Sequence, residues 1–219
     1  MKQTRQTSQT IRHGLLLLAF TITLGSMHAQ KSPADFSTEP DKTLAAAHES
    51  FVKKDMNQAA EHLHRAAADV KAESEKVAAG SKKGMKKAGD ELDKLGEGVK
   101  NGTVKSSAEL EKTFAKVDHQ IATCWHQTAE ESKKSGKDAG ADLAKAGASL
   151  AGAAKWSGIQ LKAGAQASVD GIKKAGQATG EGLKKAGQAT GEGVKTAADQ
   201  VDSWFKGIGE GISDLGHKL

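Results

Sequence analysis

Past the first thirty residues, six histidines and one cysteine carry most of the metal-binding or nucleophilic chemistry in this 219-residue chain. A helical metal site usually places two ligands one turn apart, at i and i+4. Neither the pair His119 and His126 nor the pair His62 and His64 has that spacing, and His48 and His217 stand apart. His119 and His126 are seven apart and share a helix face, but that face lies opposite the stripe containing Ile121. His62 and His64 flank Leu63 on opposite sides. The histidines therefore read as solvated surface side chains. Cys124 falls on an apolar stripe beside Trp125, which reads as a buried, inert thiol. An exposed thiol in an oxidising compartment would instead pair between chains. No nucleophile elbow, phosphate loop, haem-attachment pair or dinucleotide fingerprint is present. Gly180-Glu181-Gly182 and Gly191-Glu192-Gly193 belong to a repeat and follow no strand. The expectation is a protein that is not an enzyme, with no cofactor, no metal and no small-molecule substrate.

The elements that carry these residues are helical. The chain holds 36 Ala, 25 Gly, 2 Pro and no Tyr, with 4% aromatic residues. Alanine has little surface to bury, which argues against a thick aromatic core. Both prolines, Pro33 and Pro40, precede a proline-free run to the end of the chain. That run lacks the β-branched and turn-rich patterning of an all-β protein, so an all-α fold is expected.

Residues 1–29 read as a signal peptide. Lys2, Arg5 and Arg12 form a basic start, Leu15 to Leu24 an apolar run, and Met27-His28-Ala29 a small-residue cleavage site. The apolar run is shorter than the about 20 residues a membrane span needs. Export follows, to a bacterial periplasm or the cell exterior. Residues 30–40 read as a linker. Without the signal the formal charges are 29 against 27, and Arg65 is the remaining arginine. Nucleic acid is therefore not an expected partner.

Residues 41–132 read as a small helical bundle. A first helix from about Asp41 to Val52 carries Leu44, Ala47, Phe51 and Val52, and Lys53-Lys54-Asp55 turns into a second. The second carries Met56, Ala59, Ala60, Leu63, Ala67, Val70 and Val77, with an interruption at Ala79-Gly80-Ser81. This pair resembles the helical hairpins of exported bacterial bundle proteins such as the YfdX family. Met85, Ala88, Leu92, Leu95 and Val99 continue an apolar face to a turn at Asn101-Gly102. Ser106 or Ser107 then caps a helix striped by Leu110, Phe114, Val117, Ile121, Cys124, Trp125 and Thr128.

Residues 133–219 carry an eleven-residue period. Leu150, Leu161, Ile172, Leu183, Val194 and Phe205 recur at that spacing, and the copies Gly171–Glu181 and Gly182–Glu192 are nearly identical. Eleven residues in three turns return each large apolar residue to one face, beside Ala175, Gly176 and Thr179. With 17 Gly between Lys133 and Leu219, each costing a helix interior about 1 kcal/mol, an isolated helix is marginal in water. The expectation is a long Gly/Ala-rich amphipathic helix, partly disordered, that orders on a surface or partner. Lys174-Ala175-Gly176-Gln177 and Lys185-Ala186-Gly187-Gln188 are similar to the repeats of group-3 late-embryogenesis-abundant proteins. Glu192-Gly193-Val194 resembles synuclein repeats. The first resemblance implies stress protection, the second binding to a lipid surface.

The residues expected to meet a membrane surface or a helical protein partner are Leu150, Leu161, Ile172, Leu183, Val194, Trp204, Phe205, Ile208, Ile212 and Leu215. The alternative is a self-associating structural or spacer protein of the cell envelope. There, small residues let helices of a homo-oligomer approach closely.

Overall fold

In the computed structural model the described residues are 39–177 and 192–219, with the backbone alone described for residues 39, 176–177 and 192–198. The expected signal peptide, the linker as far as residue 38, and Leu183 lie outside the described residues, as does the side chain of Val194. The chain forms α1 (Glu39–Val52), α2 (Met56–Glu73), a 3-10 turn (Ala79–Ser81), α3 (Lys82–Lys100), α4 (Ser107–Lys134), α5 (Gly140–Ser157), α6 (Ala163–Gln177) and α7 (Glu192–Gly216). The described residues contain no strand, and the fold class is all-α as the patterning predicts.

Local chemistry sets the boundaries. Pro40 sits in the first turn of α1, where a missing N–H breaks no helical hydrogen bond, so the helix starts inside the expected linker. Lys54 takes a positive φ of 62° between α1 and α2. Asp55 then caps α2 by accepting from the Gln58 N–H at 3.0 Å. Helix α2 ends at Glu73, and Val77 is buried from the connection beyond it. Ser106 caps α4 through the Glu109 N–H, and the Glu109 carboxylate accepts from the Lys105 N–H at 2.8 Å.

The two halves share one core. Leu44, Leu63, Met85, Leu92, Leu110 and Phe114 belong to the same apolar cluster as Leu143, Leu150, Ile172, Ile208 and Leu215. The described residues accordingly form a single compact unit, and the expected boundary near residue 132 falls in the last turn of α4.

The repeat does not run as one long helix. Gly158 ends α5 with φ 68°, a left-handed position that glycine takes without strain. Leu161 lies in the short connection before α6, so Leu150, Leu161 and Ile172 sit on α5, the connection and α6, while Val194 and Phe205 share α7.

Glycine also decides how closely the helices pass. In the antiparallel pair α2–α3, a Cβ on Gly89 would lie 2.6 Å from Lys71 Cγ, and one on Gly96 would lie 3.1 Å from the His64 ring. In the pair α4–α7, a Cβ on Gly209 would lie 3.3 Å from the His126 ring, and one on Gly216 2.8 Å from the His119 ring. Both glycine pairs and both long-side-chain pairs are seven residues apart, two helical turns. Between α6 and α7, a Cβ on Gly207 would meet the Gly164 carbonyl oxygen at 2.8 Å, and one on Gly171 would meet Trp204 Nε1 at 2.5 Å.

Gly207→Ala should therefore cost about 1–3 kcal/mol, because the new Cβ meets Ser168 Oγ, which can rotate away, but also Ser168 Cβ and the Gly164 carbonyl oxygen, which cannot. Gly164→Ala meets nothing within 4 Å. It should be neutral or stabilise by up to about 1 kcal/mol through helix propensity. Urea unfolding midpoints at unchanged m-value separate the two outcomes.

Candidate functional site

The apolar residues of the repeat half turn inward. Leu150 and Ile208 are 0% exposed, Ile172 and Leu215 1%, Trp204 8% and Phe205 9%. Leu161 and Ile212 are half-buried against the same core. The partner these residues meet in the folded chain is the chain itself: α7 lies on α4, α5 and α6.

The histidines of α4 hold α7 in place. His126 Nε2 lies 3.1 Å from the Phe205 carbonyl oxygen, and His119 Nε2 lies 2.8 Å from that of Ile212. Each ring nitrogen donates its N–H to a carbonyl. The expectation of solvated side chains is corrected here, because α7 covers the face of α4 opposite Ile121. His126 also packs edge-on against the Phe205 ring at 5.9 Å. At the ends of the seam Lys133 pairs with Asp202 and lies 5.0 Å over the Phe205 ring, and Lys162 pairs with Asp214 at 2.6 Å.

Two of the remaining histidines, His48 and His64, are tied down too, whereas His217 is exposed as expected. His48 Nε2 lies 2.8 Å from Glu111 Oε1, and its ring centroid lies 5.5 Å from that of Trp156. His64 Nδ1 lies 2.9 Å from Asp93 Oδ1, and Lys71 bridges Asp93 and Asp90, each at 2.7 Å. Burial alone would raise the Asp93 carboxyl, but hydrogen bonds from His64 and Lys71 hold it below its ordinary range. Among the described residues no three His, Cys, Asp or Glu side chains converge as a metal site.

Cys124 is 3% exposed, and its thiol lies 3.4 Å from the Ser81 carbonyl oxygen, to which it donates. Burial pushes the thiol up to about 11, so little thiolate forms near neutral pH.

The least comfortable polar group is Asp118. It is 0% exposed on α4, and neither carboxyl oxygen has a hydrogen-bond partner. A Cβ on Gly152 of α5 would lie 2.5 Å from Asp118 Oδ2 and 3.2 Å from Asp41 Oδ1 of α1. The two acids therefore meet where three helices cross. Burial and then the neighbouring Asp41 charge push the Asp118 carboxyl well above its ordinary range, with Lys155 opposing. Asp118 occupies an apolar helical position, four residues after Phe114 and seven before Trp125, and that misplaced acid was the readable signal. For the α4–α7 seam the signal was the matched seven-residue spacing of His119 and His126 with Gly209 and Gly216.

A carboxyl that stays protonated in the fold binds its proton more tightly than in the unfolded chain, where its pKa is about 3.9. Its stabilising effect is complete below that value. It falls away as pH rises toward the native pKa, by up to about 1.4 kcal/mol per pH unit. Asp118→Asn removes that loss. Urea midpoints of the variant and the parent should draw apart in the variant's favour from pH 4 to pH 7. Parallel pH profiles would show Asp118 to be ionised in the fold.

Among the described residues no helix is long and apolar enough to cross a membrane. Comparison with protein-family models, curated proteins and solved structures found no match to this chain.

Proposed function

We propose that this is an exported, non-enzymatic interaction protein whose C-terminal helix α7 is a releasable binding element. The observation that carries this reading is the seating of α7. Its apolar face, with Trp204, Phe205, Ile208 and Leu215, lies on α4–α6 across a seam built on glycines and two histidine–carbonyl hydrogen bonds. Released, that face is an amphipathic helix of 25 residues with its aromatic pair at mid-length. Such a helix lies in a lipid interface with its apolar side down.

Export rests on the basic start, short apolar run and small-residue end of residues 1–29. A non-enzymatic role is supported by the chemistry of the described residues. Cys124 is a buried, protonated thiol, and the histidines hold helices together rather than activating a nucleophile. The group-3 late-embryogenesis-abundant and synuclein resemblances of the repeat favour the same surface-binding or protective role. Envelope self-association is the second reading. It is favoured by the small-residue seam, since exchange of α7 between two copies would rebuild the same contacts.

A disulfide across the seam tests release. A Cβ on Gly207 would lie 2.9 Å from Ser168 Cβ, so α6 and α7 must part by about 1 Å to reach the about 3.5–4.5 Å a disulfide needs, and the parent protein, which should bind vesicles as the reduced variant does, is the reference for that cost. Ser168→Cys with Gly207→Cys, in a Cys124→Ala background, should co-sediment with anionic vesicles when reduced and several-fold less when oxidised. Equal binding in both states would rule out release of α7. Light scattering that grows with concentration in the reduced state, without vesicle binding, would favour self-association.

A further inference from the structure

A half-enclosed pocket of about 230 Å³ opens between α1, α2, α3, α4 and α5. Its apolar walls are Val70, Met85, Ile121 and Trp125, all at most 5% exposed. An engineered apolar cavity of about 150 Å³ holds benzene, so this one has room for one aromatic ring and a short chain.

Three charged side chains complete the lining: Asp69, Glu73 and Lys145. Their charges are unequally matched. Lys145 Nζ lies 2.8 Å from Glu73 Oε2 and 3.8 Å from the centroid of the Trp125 ring. Lys76 reaches Glu73 at 2.5 Å. Burial alone would raise the Glu73 carboxyl, but these two ammonium groups hold it below its ordinary range. Glu73 is thus neutralised, and Lys145 is committed to it and to the indole. Asp69, one turn earlier on α2, is half-buried and makes no ion pair or hydrogen bond with the described residues. The wall carries one unmatched negative charge beside an apolar cavity.

We propose that this pocket binds a small aromatic ammonium ion. The ring lies among Val70, Met85, Ile121 and Trp125, and the ammonium group faces Asp69. Charge chooses the ligand class. An anion of the same size meets Asp69, while the one lining cation is already engaged. A neutral isostere gains the apolar burial without the ion pair.

The test uses the full chain, labelled with nitrogen-15, and follows the indole N–H signals of Trp125, Trp156 and Trp204. The probe is 2-phenylethylammonium, compared with neutral 2-phenylethanol and anionic 3-phenylpropionate. The expected result is a saturable shift of the Trp125 signal, with Trp156 and Trp204 unmoved. The ammonium should bind about fivefold more tightly than the alcohol, and the carboxylate should not saturate. Asp69→Asn should equalise ammonium and alcohol, and Asp69→Glu should keep the preference. Ile121→Phe, which fills the cavity, should remove binding of all three. Equal affinities in the parent protein, a response confined to Trp156 or Trp204, no response at all, or an ammonium preference that survives Asp69→Asn would each overturn the assignment.

Discussion

The structure depends on absent Cβ atoms. An alanine-rich chain has few large side chains with which to fill the space between helices, so its helices must come close to exclude water. Glycines at the crossings permit this: Gly89 and Gly96 on α3, Gly152 on α5, and Gly207, Gly209, Gly211 and Gly216 on α7. A Cβ at each would meet a neighbouring helix: the His64, His119 and His126 rings and Lys71 at four of them, Asp118 at Gly152, the Gly164 backbone and Ser168 at Gly207, and Ala165 and Leu150 at Gly211. The conformational freedom that weakens a helix in isolation is offset where the missing methyl group becomes the contact.

The same device appears in both halves of the chain with different chemistry. Between α2 and α3, His64 and Lys71 cross Gly96 and Gly89 and end in carboxylates, at a partly exposed seam. Between α4 and α7, His126 and His119 cross Gly209 and Gly216 and end on backbone carbonyls that their own helix leaves free for a second acceptor role. The first seam is ionic and screened by salt. The second rests on histidine–carbonyl hydrogen bonds, with the ion pairs of Lys133 with Asp202 and Lys162 with Asp214 at its ends.

What the sequence made legible follows from which signals are local. The stripe Leu110–Phe114–Val117–Ile121–Trp125 is a periodic run within one helix, and every member is buried. The turns at Lys54–Asp55 and Asn101–Gly102 are local as well. The eleven-residue period was legible as a repeat. Its consequence was not, because Gly158 breaks the helix at a single left-handed residue and Leu161 falls in the connection. The inward turn of Trp204, Phe205 and Ile208 depends on a face of α4 whose histidines look polar until α7 covers them. The pocket was hidden for the same reason. Val70, Met85, Ile121 and Trp125 come from three helices, and Asp69 gains meaning only beside an engaged Lys145.

The burial of Cys124 reaches beyond packing. Its thiol lies against the Ser81 carbonyl between the 3-10 turn and α4, protonated and shielded from solvent. An oxidant in the surroundings cannot reach it while the bundle is closed. A covalent pair of chains joined through Cys124 would therefore form only from molecules that had opened, so dimer content under an oxidant reports how often the fold opens.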